Sequence, residues 1–299
     1  MAIAINPGAL RRNCRTFLLA AVPCLFLNSL PAQSEQVDTK LPNGVIARAN
    51  FHSGLNSLPA VITLHGFLQT HHSLPMSSLA SNLSSRGYTV LSPTMSLNVN
   101  HRSQSMACEA VHTHTMESEV DEISYWVSWL NNKGYKNIVL VGFSSSGNIA
   151  ALLLAARKTQ PSIKHLILTS LNPILLDTAE RQQMRATMHS THNKSSKQLE
   201  RVSLGYCKKN YTTTINNYLT YASYDNNKIL ELVKDNPVPT EIILGTADTI
   251  MPDNWIAKIT GLNTQSHVTL IKNATHFFDD IHEFDLAEAV ENTLKKYFH

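Results

Sequence analysis

NIVLVGFSSSGNIAA, residues 137–151, is an apolar run followed by a turn of small residues and a second apolar run. The first run, Ile138–Val141, is short and β-branched, which predicts a buried strand. The second run begins at Ile149 and is rich in alanine and leucine, which predicts a helix packed on a sheet. A strand, a sharp turn and a helix with serine at the apex can present a nucleophilic hydroxyl at the end of a sheet strand.

The turn contains three serines, and the sizes of their neighbours distinguish them. A serine at such a sharp turn needs small residues two positions before it and two positions after it. Ser144 meets this requirement with Gly142 and Ser146. Ser145 would place the Phe143 ring in the turn, and Ser146 would lie further into the helix. Ser144 is therefore the predicted nucleophile.

The motif VGFSSSG at residues 141–147 resembles the G-x-S-x-G nucleophile elbow of the α/β-hydrolase family. It departs from the family pattern at Ser146, where a second glycine is usual, and Gly147 follows at once. The resemblance implies an α/β fold class, with a doubly wound, mostly parallel sheet. A small helical cap is expected as an insertion at about residues 172–237, within a hydrolase domain of residues 33–299.

Strand and helix patterns alternate through most of the chain, which indicates parallel pairing of the strands. Besides the strand of the elbow, buried strands are predicted over Ala60–Leu64, Tyr88–Ser92, Leu166–Thr169, Glu241–Leu244 and His267–Ile271. Apolar residues at helical spacing predict helices after Ser73, from Met116 to Asn131 and around Leu286–Tyr297. Gly44–Phe51 predicts a strand at the sheet edge, whereas the polar segment Gln33–Lys40 is expected to be mobile.

Two polar residues that follow predicted strands complete the resemblance. Asp248 follows the strand Glu241–Leu244 and resembles the acid loop of the family, although an ordinary turn aspartate is the alternative. His276 follows the last predicted strand and precedes two aromatic residues, as the catalytic base of the family does. The chain order Ser144, Asp248, His276 matches the family order. The resemblance therefore implies a catalytic triad for acyl transfer through Ser144.

The family stabilises the oxyanion of acyl transfer with two backbone N–H groups. One donor is expected from Ser145, directly after the nucleophile. The other is expected from Phe67, because His65-Gly66-Phe67 follows the first buried strand and resembles the His-Gly-x motif of the family. Gly66 would allow the backbone to approach the substrate. His65 is expected to pack or to form local hydrogen bonds rather than to react.

His112 and His114 form a His-x-His pair in a long polar segment. On a strand, such a pair could bind a metal ion. On a loop, the rings could be solvated or could line the substrate pocket. The architecture of the resembling family places this segment near the rim of the active site, so both histidines are expected to bind the substrate. No metal and no cofactor are expected.

Composition narrows the class of function. The length of 299 residues and the hydrophobic content of 43% are ordinary for a globular protein. The net charge is +3 and no run of lysine or arginine occurs, which argues against nucleic-acid binding. The predicted function is that of a serine hydrolase resembling carboxylesterases and lipases, with a small ester, thioester or other acyl substrate. An amidase or peptidase, a non-catalytic binding protein of the same fold and a metal-binding protein are the alternatives.

The first 32 residues have the pattern of a secretory signal peptide. Three arginines between positions 11 and 15 precede the apolar run Phe17–Leu27, and Ala32 offers a small residue for cleavage. Pro23 interrupts the run, which is shorter than the ~20 residues of a membrane span. An uncleaved anchor is the alternative. The mature chain is expected to be secreted or periplasmic, without a stable membrane span.

Signal cleavage would remove Cys14 and Cys24 and leave Cys108 and Cys207. These two are expected to pair in an oxidising compartment, with two buried free thiols as the alternative. The pairing would stabilise the fold by about 2–4 kcal/mol, because it restricts the unfolded chain. We expect the intact mass without reductant to match a chain that begins near Gln33 and has no alkylatable thiol. Alkylation of two cysteines would contradict the pairing.

Overall fold

In a computed structural model of the protein, the described residues are 1, 34–144, 149–159, 161–190, 197–262 and 266–298. The chain divides into two units, residues 1–31 and 32–299, and every element below belongs to the second. Apart from Met1, the predicted signal peptide lies outside the described residues. Among the helices formed by the described residues, none has the length and apolar character that a membrane span requires.

The predicted alternation of strands and helices is present in the structure. The strands are β1 (Ser34–Lys40), β2 (Ile46–His52), β3 (Ala60–Leu64), β4 (Thr89–Thr94), β5 (Ile138–Phe143), β6 (Ile163–Thr169), β7 (Leu199–Leu204), β8 (Cys207–Thr214), β9 (Thr240–Gly245) and β10 (His267–Ile271). The helices are α1 (Met76–Ser85), α2 (Met116–Asn132), α3 (Ala150–Lys158), α4 (Thr178–Ser190), α5 (Ile215–Ala222), α6 (Asn226–Lys234), α7 (Trp255–Thr260) and α8 (His282–Phe298).

The main sheet has the strand order β1-β2-β4-β3-β5-β6-β9-β10 within the described residues. β2 pairs antiparallel with both β1 and β4. The other neighbouring strands of this sheet pair in parallel. The predicted α/β class with a mostly parallel sheet is therefore confirmed. The strand of the quoted motif, β5, lies in the interior of this sheet.

Alternate residues of β5 point to opposite faces of the sheet, as the pleat of a strand requires. Val139 and Val141 belong to the hydrophobic core that includes apolar residues of α1 and α8. Ile138 and Leu140 belong to the core that includes apolar residues of α2 and α3. Because both faces of the strand are buried, its sequence is continuously apolar rather than alternating.

The polar segment that ends at Lys40 is not mobile as expected but forms β1. Its residues pair antiparallel with β2, from Ser34 opposite His52 to Lys40 opposite Ile46. β1 is therefore the edge strand, and β2 lies second from the edge. The side chains of β1 are exposed or half-buried. Backbone hydrogen bonds hold this strand in place, and they leave no hydrophobic period that sequence could reveal.

The segment predicted as a helical cap contains α4, α5 and α6, and it also contains a β-hairpin that is not predicted from the sequence. β7 and β8 pair antiparallel from Leu199 opposite Thr214 to Leu204 opposite Cys207. A disulfide joins Cys207 to Cys108, with the two Cα atoms 5.6 Å apart. The N–H of His112 donates to the carbonyl of Thr212 at 2.8 Å. The hairpin is thereby connected to the loop that precedes α2.

Gly245 ends β9 and packs directly against the loop that follows β10. A Cβ atom at this position would lie 2.3 Å from the carbonyl oxygen of Ala274 and 2.8 Å from that of Thr275. We expect Gly245→Ala to push this loop away and to lower the free energy of unfolding by at least ~2 kcal/mol in urea denaturation. Gly261→Ala is the matched control, because its Cβ would lie 3.0 Å from the nearest atom. Equal losses of stability in the two variants would contradict this expectation.

Candidate active site

Ser144 follows β5 directly, and its backbone is strained. Its φ angle is 58°, in the left-handed region that costs a non-glycine residue on the order of 1–3 kcal/mol. Its N–H donates to the carbonyl of Thr169, at the end of β6, at 3.0 Å. Its side chain is mostly buried. A strained backbone at a serine between a strand and a helix is the geometry that a nucleophile elbow requires.

Packing explains why the residue two positions before Ser144 must be small, as predicted. A Cβ atom at Gly142 would lie 2.7 Å from Cδ1 of Leu152 and 3.4 Å from Cγ1 of Ile149. The start of α3 therefore lies close to the end of β5, and only a small residue fits between them. Ser145, the expected oxyanion donor, lies outside the described residues with the rest of 145–148, and its role stays a prediction.

The structure brings the three predicted catalytic residues together. Nε2 of His276 lies 3.1 Å from Oγ of Ser144. Nδ1 of the same ring lies 2.7 Å from Oδ2 of Asp248. The carboxylate is an acceptor, so Nδ1 carries a proton and Nε2 can accept the hydroxyl proton of Ser144. The side chains of His276 and Asp248 are 5% and 0% exposed, respectively, which shields this hydrogen-bonded series from water.

Two backbone N–H groups orient the Asp248 carboxylate. Its Oδ1 accepts hydrogen bonds from Ile250 at 2.8 Å and from Met251 at 3.3 Å. These bonds leave Oδ2 directed at His276. Other carboxylates near the two loops are placed differently, since Asp279 and Asp253 are exposed. The geometry thus distinguishes Asp248 from its neighbours in sequence.

Ser170 positions the loop of the base and is not singled out by the sequence. Its Oγ donates to the carbonyl of His276 at 2.6 Å, and its N–H donates to the carbonyl of Ile243 at 2.9 Å. The residue is fully buried and has a φ angle of 49°. It therefore ties the base loop to the end of β6. A serine after a strand is common in loops, so no sequence signal could have identified this contact.

The predicted oxyanion loop borders the cavity that contains Ser144. Gly66 and Phe67 both line this cavity. The Gly66 N–H donates to Oε1 of Gln69 at 3.1 Å, and the Gln69 N–H donates to the carbonyl of Gly66 at 3.1 Å. Within the part of the chain that the structure describes, no acceptor is found for the N–H of Phe67. This donor is therefore free to bind a negatively charged oxygen.

Arg102 holds the oxyanion loop from inside the protein. The side chain is 4% exposed. Its guanidinium donates to the carbonyls of Gln69 at 2.6 Å, Met95 at 2.6 Å and Leu68 at 3.3 Å. Burial lowers the pKa of Arg102 to about 10, which still leaves the group charged near neutral pH. The planar guanidinium can donate to several fixed carbonyl groups at once. Arg102 therefore fixes the oxyanion loop without itself contacting the cavity.

His65 has a local role, as expected from the sequence. Nδ1 donates to the carbonyl of Gly66 at 2.7 Å, and Nε2 accepts from the N–H of Met95 at 3.0 Å. Burial and then the charge of Arg102 lower the pKa of His65 to about 3. The ring is therefore neutral, with its proton on Nδ1, and it connects the loop after β3 to the loop after β4.

His112 and His114, the histidines expected to bind the substrate, lie behind the cavity wall. Both are 1% exposed, and neither lines the cavity at Ser144. The His112 ring stacks on Tyr211 at 4.0 Å, and the Tyr211 ring lies 5.9 Å from that of Phe67. Nδ1 of His114 lies 2.6 Å from the hydroxyl of Tyr221. The expectation that these histidines contact the substrate is therefore corrected. The hairpin of β7 and β8, which was not predicted, covers this segment.

Metal ligation by this pair was the other possibility. Across the described residues, no group of three or more histidine, cysteine, aspartate or glutamate side chains could hold a metal ion. Instead, the hydroxyl of Tyr221 donates to Oε1 of Glu119 at 2.5 Å, and Nδ1 of His114 lies 3.0 Å from the same oxygen. The pair is thus part of a buried network that connects α2, α5 and β8.

Buried neutral histidines make the fold sensitive to acid. Burial lowers the pKa of His65 to about 3 and that of His112 to about 4. Below about pH 6.5 the unfolded chain binds protons that the folded chain does not, so the free energy of unfolding falls as the pH drops. Glu122 acts in the opposite direction, because burial raises its pKa to about 7. Protonation of Glu122 therefore offsets part of the loss of unfolding free energy at low pH.

We expect His112→Phe to weaken this acid sensitivity, because phenylalanine keeps the stack on Tyr211 and removes one titrating ring. The loss of unfolding free energy between about pH 7 and about pH 4.5 should shrink by ~1–2 kcal/mol relative to the unsubstituted protein. Urea denaturation at several pH values measures the difference. An identical pH dependence in the two proteins would contradict the role of His112.

Comparison with known proteins identifies the fold to which this geometry belongs. A family profile described as the alpha/beta hydrolase fold matches residues 59–190. A search of curated proteins found no match to this chain. Many solved structures are similar to it.

Three of these structures indicate the extent of the likeness. The α/β hydrolase GrgF from Penicillium sp. sh18 is 15% identical, with a TM-score of 0.67 over 89% of this chain and 99% of that one. Est1E from Butyrivibrio proteoclasticus is 16% identical, with a TM-score of 0.60 over 88% and 98%. A thermophilic esterase from Thermogutta terrifontis is 18% identical, with a TM-score of 0.59 over 90% and 100%. Such identities show the fold alone. With the profile match and the strand order, they show that the chain has the α/β-hydrolase fold.

Proposed function

We propose that the protein is an exported serine hydrolase that cleaves a carboxylic ester or thioester through an acyl-enzyme on Ser144. The observation that carries this proposal is the hydrogen-bonded series from Ser144 Oγ through His276 to Asp248, with distances of 3.1 Å and 2.7 Å. The series borders a cavity of about 190 Å³ that can hold a small substrate. Similarity to solved esterases supports ester hydrolysis as the reaction class.

Ser144 is the attacking group in the proposed reaction. A serine hydroxyl is a weak nucleophile at its ordinary pKa, so Nε2 of His276 accepts its proton as Oγ attacks the acyl carbon. The carbonyl oxygen becomes an oxyanion, which the N–H groups of Phe67 and, as predicted, Ser145 would bind. When the intermediate collapses, Nε2 returns the proton to the departing alcohol or thiol. Water then attacks the acyl-enzyme by the same steps and releases the acid.

Asp248 orients the base. Its carboxylate keeps the proton of His276 on Nδ1, so that Nε2 faces the nucleophile, and it stabilises the imidazolium that forms. The bonds from Ile250 and Met251 hold the carboxylate in place before the substrate arrives. The imidazole therefore needs no rearrangement during proton transfer.

Two alternatives are less well supported. A peptidase would use the same triad, but recognition of an extended peptide relies on its main-chain hydrogen bonds, and the lining of this cavity is mainly apolar. A binding protein of the same fold would have no use for a strained Ser144 whose hydroxyl faces a histidine. Strain of this kind persists where the surrounding structure maintains it, and it concentrates at functional sites.

Export is part of the proposal. The signal-like pattern of residues 1–32 supports it. The disulfide between Cys108 and Cys207 also supports it, because such bonds persist mainly in oxidising compartments. The proposed location is the periplasm or the extracellular medium.

We expect Ser144→Ala and His276→Ala each to lower kcat by roughly 10⁴-fold or more, because the two residues act as a unit. Asp248→Asn should cost a similar or smaller factor, through the wrong tautomer of His276. Rates on p-nitrophenyl esters of increasing acyl length measure these effects, and a fluorophosphonate probe should label the unsubstituted protein but not Ser144→Ala. Asp253→Asn is the matched control and should retain full activity.

Full activity of Asp248→Asn together with collapse of Asp253→Asn would overturn the assignment of the acid. Failure of the unsubstituted protein to react with the probe would favour the non-catalytic binding protein.

A further inference from the structure

Asn172 is a buried amide residue at the cavity of Ser144, and the proposed mechanism does not use its side chain. It follows β6, is 1% exposed and lines the same cavity as the nucleophile. Its Oδ1 is buried and has no hydrogen-bond partner among the described residues. A buried, unpaired amide oxygen costs the folded state free energy that an apolar residue of similar size would not cost. The presence of such a residue must be explained by something other than a contribution to the stability of the fold.

The other walls of the cavity are chiefly apolar. They are formed by the aromatic rings of Phe67, Phe143, Tyr206 and Phe277 and by the aliphatic side chains of Leu175 and Ile250. Gln69 is a second amide residue of the lining, and its Oε1 already accepts from the Gly66 N–H. No lysine, arginine, aspartate or glutamate is among the described residues that line the cavity. A charged substituent would therefore lose its hydration without gaining a partner. The cavity suits a neutral group.

The volume of the cavity limits the size of that group. It measures about 190 Å³, whereas an apolar cavity of ~150 Å³ in another protein is large enough to bind benzene. The site at Ser144 therefore accepts a group of about the size of one ring or a short branched chain. A long fatty acyl chain would extend beyond it.

We propose that Asn172 determines specificity by binding a neutral hydrogen-bonding substituent, such as a hydroxyl, on a compact acyl group. The inference rests on the proposed ester hydrolysis. By rotating half a turn, an amide side chain can present either its oxygen or its NH₂ group, so it can pair with a hydroxyl in either sense. We assign the substituent to the acyl group because that group takes part in both steps of the proposed reaction. It stays bonded to Ser144 after the alcohol has left, so a contact with it can act throughout. The substrates are esters of small hydroxy acids, aliphatic or aromatic.

The experiment compares methyl esters that differ by one hydroxyl: methyl butyrate with methyl 3-hydroxybutyrate, and methyl benzoate with methyl 4-hydroxybenzoate. The methyl leaving group is small and constant, and acid release is followed in a pH-stat. We expect kcat/KM to favour at least one hydroxylated ester by ~10-fold or more, the factor that about one hydrogen bond supplies. Methyl laurate should be a poor substrate.

Asn172→Leu should abolish this preference. It should lower kcat/KM for the hydroxylated ester by ~10-fold or more, mainly through KM, and leave the unsubstituted ester within ~3-fold. Its free energy of unfolding should not fall, because leucine buries no unpaired polar group. Asn172→Ala serves the same test if leucine is too bulky to fold. Tyr218→Phe is the matched control, since it also removes a buried polar group that has no hydrogen-bond partner among the described residues but does not line this cavity, and it should keep the preference.

The outcomes separate the two proposals. A fluorophosphonate labels Ser144 whether or not Asn172 selects the substrate. Absence of labelling in the unsubstituted protein would contradict the proposed function. Labelling with an equal loss for both esters in Asn172→Leu, or with no preference to begin with, would overturn the role of Asn172 alone. A preference for 2-hydroxyethyl butyrate over ethyl butyrate that depends on Asn172 would overturn the assignment to the acyl group.

Discussion

The left-handed backbone at Ser144 is the constraint on which the rest of the structure depends. A φ angle of 58° is unfavourable for serine, so packing on both sides must hold it. The hydrogen bond to Thr169 fixes the residue to β6, and Leu152 of α3 packs closely against Gly142. Burial of β5 on both faces supplies the favourable free energy. The strain directs the hydroxyl out of the sheet and toward His276.

Parallel pairing explains how residues far apart in sequence meet at this hydroxyl. The carboxyl ends of parallel strands lie at one edge of the sheet, so the loops after β3, β5, β6, β9 and β10 converge there. Buried polar side chains then fix the loops: Arg102 binds carbonyls of the loop after β3, and Ser170 binds the carbonyl of His276. These groups are paired, whereas Oδ1 of Asn172 is not. The difference separates side chains that hold the loops of the site from a cavity-lining side chain with an unpaired amide oxygen.

Sequence could predict the parts of the fold that rest on burial. The interior strands β3, β5, β6 and β9 are largely apolar runs. Ser144 directly follows β5, and Asp248 and His276 lie three and five residues after the ends of β9 and β10. It could not predict β1 or the hairpin of β7 and β8, whose alternating or polar sequences rely on backbone pairing. The sequence did not predict the hairpin that covers His112 and His114, so these residues were expected at the pocket rim. Arg102 and Ser170 act on backbone carbonyls, which leave no pattern in sequence.

The wall of the substrate cavity depends on contacts that the sheet does not determine. The Tyr206 ring lies 5.6 Å from that of Phe67 and forms part of the cavity lining. Tyr206 stands at the turn of the hairpin, next to Cys207, and the disulfide closes a sequence separation of 99 residues. The N–H of Gly205 also donates to the carbonyl of Leu175, another lining residue, at 3.0 Å. Changes in the hairpin can therefore alter the shape of the cavity, while Ser144, His276 and Asp248 keep the geometry that the parallel strands give them.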